Sequence, residues 1–257
     1  MHSEGMEHLI VTLQGGWARV MLNRPAARNA LNTALLADLA RTCRDLAGAD
    51  ACRAVLLCGA EGNFAAGADI AEIETKSTAE GAVDPRKGYW QTIRAFPKPM
   101  VAAIDGFALG GGLELALMAD LIVAGPSARL GLPETSLGLI PGAGGGQRLL
   151  ARIGPARAAR MVLLGEIIEA QTACDWGLVS HLAAADALPE AEALTARLAR
   201  RAPLALAQAK AALVAGAETV LALKAERAAF EALLDSADKT EGIRAFRAGQ
   251  KPEFSGR

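Results

Sequence analysis

The sequence predicts an α/β fold. Three observations carry that reading. Apolar runs of strand length alternate with helical periodicity through about residue 183, glycine and proline punctuate the junctions, and from Leu188 onward the chain is almost all helix formers. Alternating strands and helices argue for a sheet covered by helices. The predicted division is an α/β core over 1–187 and a helical C-terminal region over 188–257.

The elements follow in order. "HLIVTLQGGWARVMLNRP" is two β-branched runs meeting at Gly15-Gly16, a hairpin signal. "NTALLADLARTCRDLAG" has helical periodicity and stops at Gly48. "AVLLCGA" reads as a buried strand, and "GNFAAGADIAEI" as a small-residue loop entering a polar segment. Residues 74–88, with Pro85 and several charges, are expected to be mobile. "KPMVAAIDG" is a second buried strand with Pro99 at its start, where proline is tolerated. "GGGLELALMAD" begins a helix, "LIVAG" is a further strand, and "LGLIPGAGGGQRLLARIG" is a glycine loop opening a helix. The C-terminal helices break at Pro203 and around Gly216, and their Leu/Ala stripes must cover either the chain's own core or another subunit.

Composition narrows the function classes. The 257 residues are 52% hydrophobic but only 4% aromatic, so the core is built from Ala, Leu, Val and Ile. The net charge of −1 gives no pull toward nucleic acid or an anionic membrane. The apolar stretch 100–125 is interrupted by Asp105, Glu114 and Asp120, which argues against a membrane span of roughly 20 apolar residues. "MHSEGMEHLI" lacks the basic and apolar regions of a signal peptide. Cys43, Cys52, Cys58 and Cys174 form no C-x-x-C pair, and His2, His8 and His181 are scattered. No metal site is expected, and a reducing cytoplasm fits.

Four features could carry chemistry, each with a plainer alternative. Glu114 stands in the first turns of a helix that starts at Gly110–Gly112. There the exposed N–H groups and dipole favour a carboxylate or a bound anion; the alternative is a stabilised helix start. Glu134 follows Pro133 among apolar residues and is otherwise a solvated or capping loop residue. Two converging carboxylates would suit acid/base work. "FAAGAD" can bring backbone N–H groups to a ligand, or can be a tight turn with Asp69 capping the next helix. "GLIPGAGGGQR" lacks the order of a phosphate loop and is otherwise a turn opening a helix.

Together these segments resemble the enoyl-CoA hydratase/isomerase, or crotonase, superfamily. The resemblance runs through "LNRPAARNAL", "FAAGADI", "KPMVAAIDGFALGGGLELALMAD", "PETSLGLIPGAGGGQRLLARIG", "GLVSHL" and "EGIRAFRAGQKPEF", in that order. It implies a crotonase (ClpP-like) spiral of repeated ββα units with a helical C-terminal trimerisation region. It implies an acyl-CoA thioester as substrate, no cofactor beyond the coenzyme A which that substrate carries, and a homotrimer or dimer of trimers. The N–H groups of Ala68 and Gly111 would form an oxyanion hole, and such donors are typically worth about 3 kcal/mol each. Glu114 and Glu134 would be the catalytic pair of a hydratase, Glu114 as base and Glu134 as proton donor. Ala26, Arg28, Ala66 and Asp69 would lie along the coenzyme A path, Ile70, Trp90 and Leu139 along the acyl chain, and Lys251 and Phe254 would cover a neighbour's site. Ala71 stands where the family's hydratases often carry a lysine. The rivals are another crotonase chemistry, such as isomerisation or hydration of a branched or aromatic acyl-CoA, or a non-catalytic acyl-CoA- or RNA-binding protein.

Overall fold

The computed structural model describes residues 7–201, 203–215, 220–250 and 252. The predicted break near Gly216 lies outside the described residues. The core elements are β1 (Leu9–Gln14), β2 (Trp17–Leu22), α1 (Thr33–Gly48), β3 (Ala54–Gly59), α2 (Ile70–Glu74), α3 (Thr78–Ala82), α4 (Arg86–Arg94), β4 (Met100–Ile104), β5 (Phe107–Leu109) and α5 (Gly111–Ala116). There follow β6 (Leu121–Ala124), β7 (Arg129–Gly131), α6 (Gly145–Leu163), β8 (Ile167–Glu169), α7 (Ala170–Asp175) and β9 (His181–Leu182). Four helices end the chain: α8 (Ala187–Ala199), α9 (Pro203–Ala215), α10 (Val220–Leu233) and α11 (Ala237–Arg247).

The strands form two sheets, ordered β1-β2-β3-β4-β6-β9 and β5-β7-β8. β1 and β2 are the expected antiparallel hairpin, with Gln14 opposite Trp17, and from β2 onward the larger sheet is parallel. Parallel strands need long crossovers, and these supply the spiral. β4 in the larger sheet leads to β5 in the smaller and then to α5. β6, β7 and α6 repeat that path. β3 begins a third turn, in which Ala65 bridges to Ala108 of β5 before α2 starts. The crotonase ββα spiral is therefore the fold. Leu56, Val101 and Val123 of the larger sheet pack under Ala187, Ala191 and Ala199, so α8, which starts at the predicted boundary, belongs to the core packing. Asn32 caps α1 by accepting from Leu35 N–H at 2.9 Å, and Lys98 donates to the Leu46, Ala49 and Cys52 carbonyls at its other end.

The polar segment 74–88 contains α3 and the start of α4. Ser77 and Glu80 form a capping box on α3, and Pro85 stands at the N-cap of α4. Between them Asp84 is buried, accepting from Lys76 at 2.7 Å and from Arg86 at 2.9 and 2.7 Å. The charges that suggested solvation are turned inward and paired. A third apolar cluster joins Ile73, Leu139, Phe230, Leu234 and Ile243. Through it α10 and α11 fold back over α2 and the 139–140 loop.

Candidate active site

Where the turn that β3 begins meets the β4–β5–α5 turn, the Phe64–Asp69 loop is fastened almost completely. Phe64 and Ala65 donate to Asp105 and Phe107, Ala66 to Arg28, and Asp69 to Leu31, while the Gly67 carbonyl accepts from Leu31. Among the described residues the Ala68 N–H has no such bond. Across from it, Gly110 turns the chain from β5 into α5 with φ +49°, a left-handed conformation that favours glycine. The Gly111 N–H opens the helix and has no partner inside it. A Cβ on Gly111 would lie 3.6 Å from Ala68 N, so the two N–H groups border one small volume. Gly112 makes this possible: a Cβ there would fall 2.2 Å from the Ala65 carbonyl, so only glycine lets α5 approach the loop.

Glu114 lies in the first turn of α5 and is 4% exposed. Its Oε1 accepts from the Ala143 N–H at 2.7 Å and the Gly145 N–H at 2.9 Å. The glycine loop is therefore a turn that opens α6 and also a clamp on Glu114. Burial pushes the Glu114 pKa above its ordinary value, while the N–H groups of Gly145 and Ala143 and the charge of Arg148 pull the other way. Glu134 starts a 3-10 turn, Glu134–Leu137, after Pro133. Its Oε1 reaches to 3.2 Å from where a Gly110 Cβ would stand. The Pro133 turn thus aims Glu134 across β5 toward the start of α5.

Both glutamates and the residues of both N–H groups line one cavity of about 310 Å³. Ile70, Ile73, Trp90, Leu139, Ile140 and Phe230 give it an apolar wall. Arg28 and Ala66 line it too, with the Arg28 guanidinium 5.5 Å from the Phe107 ring. Two expected binding residues do not line it. Asp69 instead caps α2, accepting from Ala71 N–H at 3.2 Å, and pairs with Arg24 at 3.0 Å. Ala26 sits in the 3-10 turn Pro25–Ala27 that precedes Arg28. Lys251 and Phe254 lie outside the described residues. Reading the sequence missed Arg86, Arg227 and Phe230, which also line the cavity. Arg86 belongs to the segment read as mobile, and the other two to a helix read as covering. The available signal was the Arg-x-x-Phe spacing, which puts both side chains on one face of α10.

The fold and this cavity define an acyl-thioester enzyme class, and the comparisons name it. The profile of the enoyl-CoA hydratase/isomerase family matches residues 12–257. The 2,3-dehydroadipyl-CoA hydratase of Escherichia coli strain K12 is 46% identical, over 98% of this chain and 100% of its own. A probable enoyl-CoA hydratase of Rhizobium meliloti is 42% identical over 98% and 99%. Among solved structures, an enoyl-CoA hydratase from Mycobacterium avium subsp. paratuberculosis superposes with a TM-score of 0.87 at 34% identity, covering 97% of this chain and 99% of that one. A carnitinyl-CoA hydratase from Mycobacterium avium gives 0.87 at 33%, over 98% and 99%. The chain belongs to the enoyl-CoA hydratase/isomerase family.

Proposed function

We propose that the protein is an enoyl-CoA hydratase, adding water across the 2,3 double bond of an enoyl-CoA thioester. One observation carries the reading: two carboxylates and two backbone N–H groups with no hydrogen-bond partner among the described residues share a single apolar-walled cavity. The thioester oxygen lies between the Ala68 and Gly111 N–H groups. Glu114 takes a proton from a water held between it and Glu134. The water oxygen bonds to C3, the double-bond pair moves toward C1, and the charge gathers on the thioester oxygen, where the two N–H groups stabilise it. Glu134, protonated at the start, gives its proton to C2. One water is consumed, and the two carboxyls exchange their proton to reset.

The hydrogen bonds that Glu114 Oε1 accepts from Ala143 and Gly145 favour the ionised form that a base requires. Arg28 and Ala66 extend the path for the coenzyme A portion, and Ile70, Trp90 and Leu139 the path for the acyl chain. Lys251 and Phe254 would close a neighbouring site in a trimer or dimer of trimers, for which the exposed Leu163 and Leu164 at the end of α6 offer apolar surface. A cytoplasmic setting and no resident cofactor complete the proposal. The relatives differ in the acyl group they are named for, dehydroadipyl in one and carnitinyl in another. The acyl preference must therefore come from this cavity's own side chains.

Hydration of crotonyl-CoA, followed by loss of enoyl absorbance and by incorporation of heavy oxygen from water at C3, tests the proposal. Glu114→Gln and Glu134→Gln should each lower kcat by about 10²–10⁴. A wild-type enzyme that shifts the double bond without taking up label would be an isomerase instead.

A further inference from the structure

Two guanidinium groups, Arg86 of α4 and Arg227 of α10, line the otherwise apolar acyl wall. Neither takes part in the hydration chemistry. Arg86 is 5% exposed, and its Nε and Nη2 are spent on Asp84. Its Nη1 stands 3.7 Å from Glu72 Oε2, beyond hydrogen-bond reach, and that oxygen already accepts from the Thr33 N–H and hydroxyl. Arg227 Nε donates to Glu231 at 2.9 Å. Its Nη2 is buried, has no hydrogen-bond partner among the described residues, and lies 3.7 Å from Asp84 Oδ2.

The cluster has a surplus of positive charge. Among the described residues, Lys76, Arg86, Lys87 and Arg227 face only Glu72, Asp84 and Glu231 through their ion pairs. Its place relative to the chemistry follows from packing. The Arg227 guanidinium sits 4.9 Å from the centroid of the Phe230 ring. That ring packs on Gly142, where a Cβ would come within 2.8 Å of it, and the next residue, Ala143, holds Glu114. Arg227 is thus one aromatic ring away from the Glu114 clamp.

A hydrocarbon chain in this cavity would leave buried guanidinium N–H groups against apolar atoms, an expensive arrangement. A carboxylate would accept from them in charge-assisted bonds. We propose that the cavity selects an enoyl-CoA whose acyl chain ends in a second carboxylate, bound by Arg227 Nη2 and Arg86 Nη1. The inference rests on the hydratase reading for turnover, but not for binding.

The test compares trans-2-hexenedioyl-CoA with trans-2-hexenoyl-CoA in kcat/KM, and saturated adipyl-CoA with hexanoyl-CoA in Kd. Each pair has equal carbon number and differs in the terminal carboxylate. The wild type should favour the carboxylated member at least tenfold in both, and Arg227→Gln should lower each ratio at least tenfold. If Arg227→Gln does not fold, Arg227→Lys, which keeps the charge but loses the two-pronged donor, must still lower the ratios. A wild-type ratio at or below one, or ratios that the folded Arg227 variant leaves in place, would overturn the proposal. Hydration of neither substrate would sink the hydratase reading alone, and the Kd ratios would still decide the carboxylate preference.

Discussion

The Gly145 N–H lies 2.9 Å from Oε1 of Glu114, and Ala143 donates to the same oxygen at 2.7 Å. A catalytic candidate on one short helix is thus held by the backbone that begins the next. The arrangement supports a carboxylate that burial alone would protonate. It also separates what Glu114 does for activity from what it does for stability.

Glu114→Gln should therefore lose activity without losing stability. The folded-state pKa of Glu114 is raised by burial, so its favourable contribution is present at low pH and is lost as pH rises through the folded value. At pH 7, above the unfolded value, the wild type bears the cost of that upward shift, which glutamine avoids, while the glutamine oxygen still accepts from Ala143 and Gly145. Thermal unfolding at neutral pH should give a variant at least as stable as the wild type, with the difference shrinking below the ordinary glutamate range. In the wild type, kcat should fall on acidification through a value above 4.5, the ordinary glutamate pKa. Glu134→Gln should keep that acid limb in its residual activity.

Gly111→Ala should separate oxygen binding from folding. The added methyl would stand 3.6 Å from Ala68 N and 3.7 Å from Leu31 Cδ1, ordinary contact distances, and alanine favours a helix. Yet it enters the space the two N–H groups border. The expected result is an unchanged or slightly higher melting temperature with kcat/KM lowered by about 10². A variant with wild-type turnover would count against this pair of N–H groups as the oxyanion site.

Asp84→Asn should be among the more destabilising polar substitutions in the chain. Burial works to raise the Asp84 pKa, but hydrogen bonds from Arg86 and Lys76 hold it below the ordinary carboxylate range. A group with a depressed folded pKa stabilises above its unfolded pKa, and the benefit is lost as pH falls through the folded one. The substitution leaves Arg86 with its carboxylate partner removed, so about 3 kcal/mol should be lost near neutral pH. Chemical denaturation at pH 7 and again at pH 3 checks this; the difference between variant and wild type should narrow at the lower pH.

Much of the site is legible in the sequence because its parts are local. Glycine before Glu114, proline before Glu134 and the small residues around Ala68 each leave a signature within a few positions. Their convergence came from the order of segments, since nothing local says that Gly110 and Glu134 meet. What stayed hidden is long-range. Asp84, Lys76 and Arg86 carry no local sign of their pairing, and the cluster is completed by Arg227 and Glu231 of α10, far along the chain. Of the two roles the sequence offers Asp69, along the coenzyme A path or capping α2, the structure adopts the cap. The deciding group was Arg24, forty-five positions earlier, whose guanidinium draws the carboxylate away from the cavity.

The backbone contact between Gly112 and Ala65 has a consequence for how such a protein can diversify. The gap between the Ala68 and Gly111 N–H groups is set where two main chains touch. Residues around it can be exchanged without retuning the thioester-binding frame. New acid/base pairs or new acyl preferences can then be tried on a scaffold whose most demanding geometry is inherited intact.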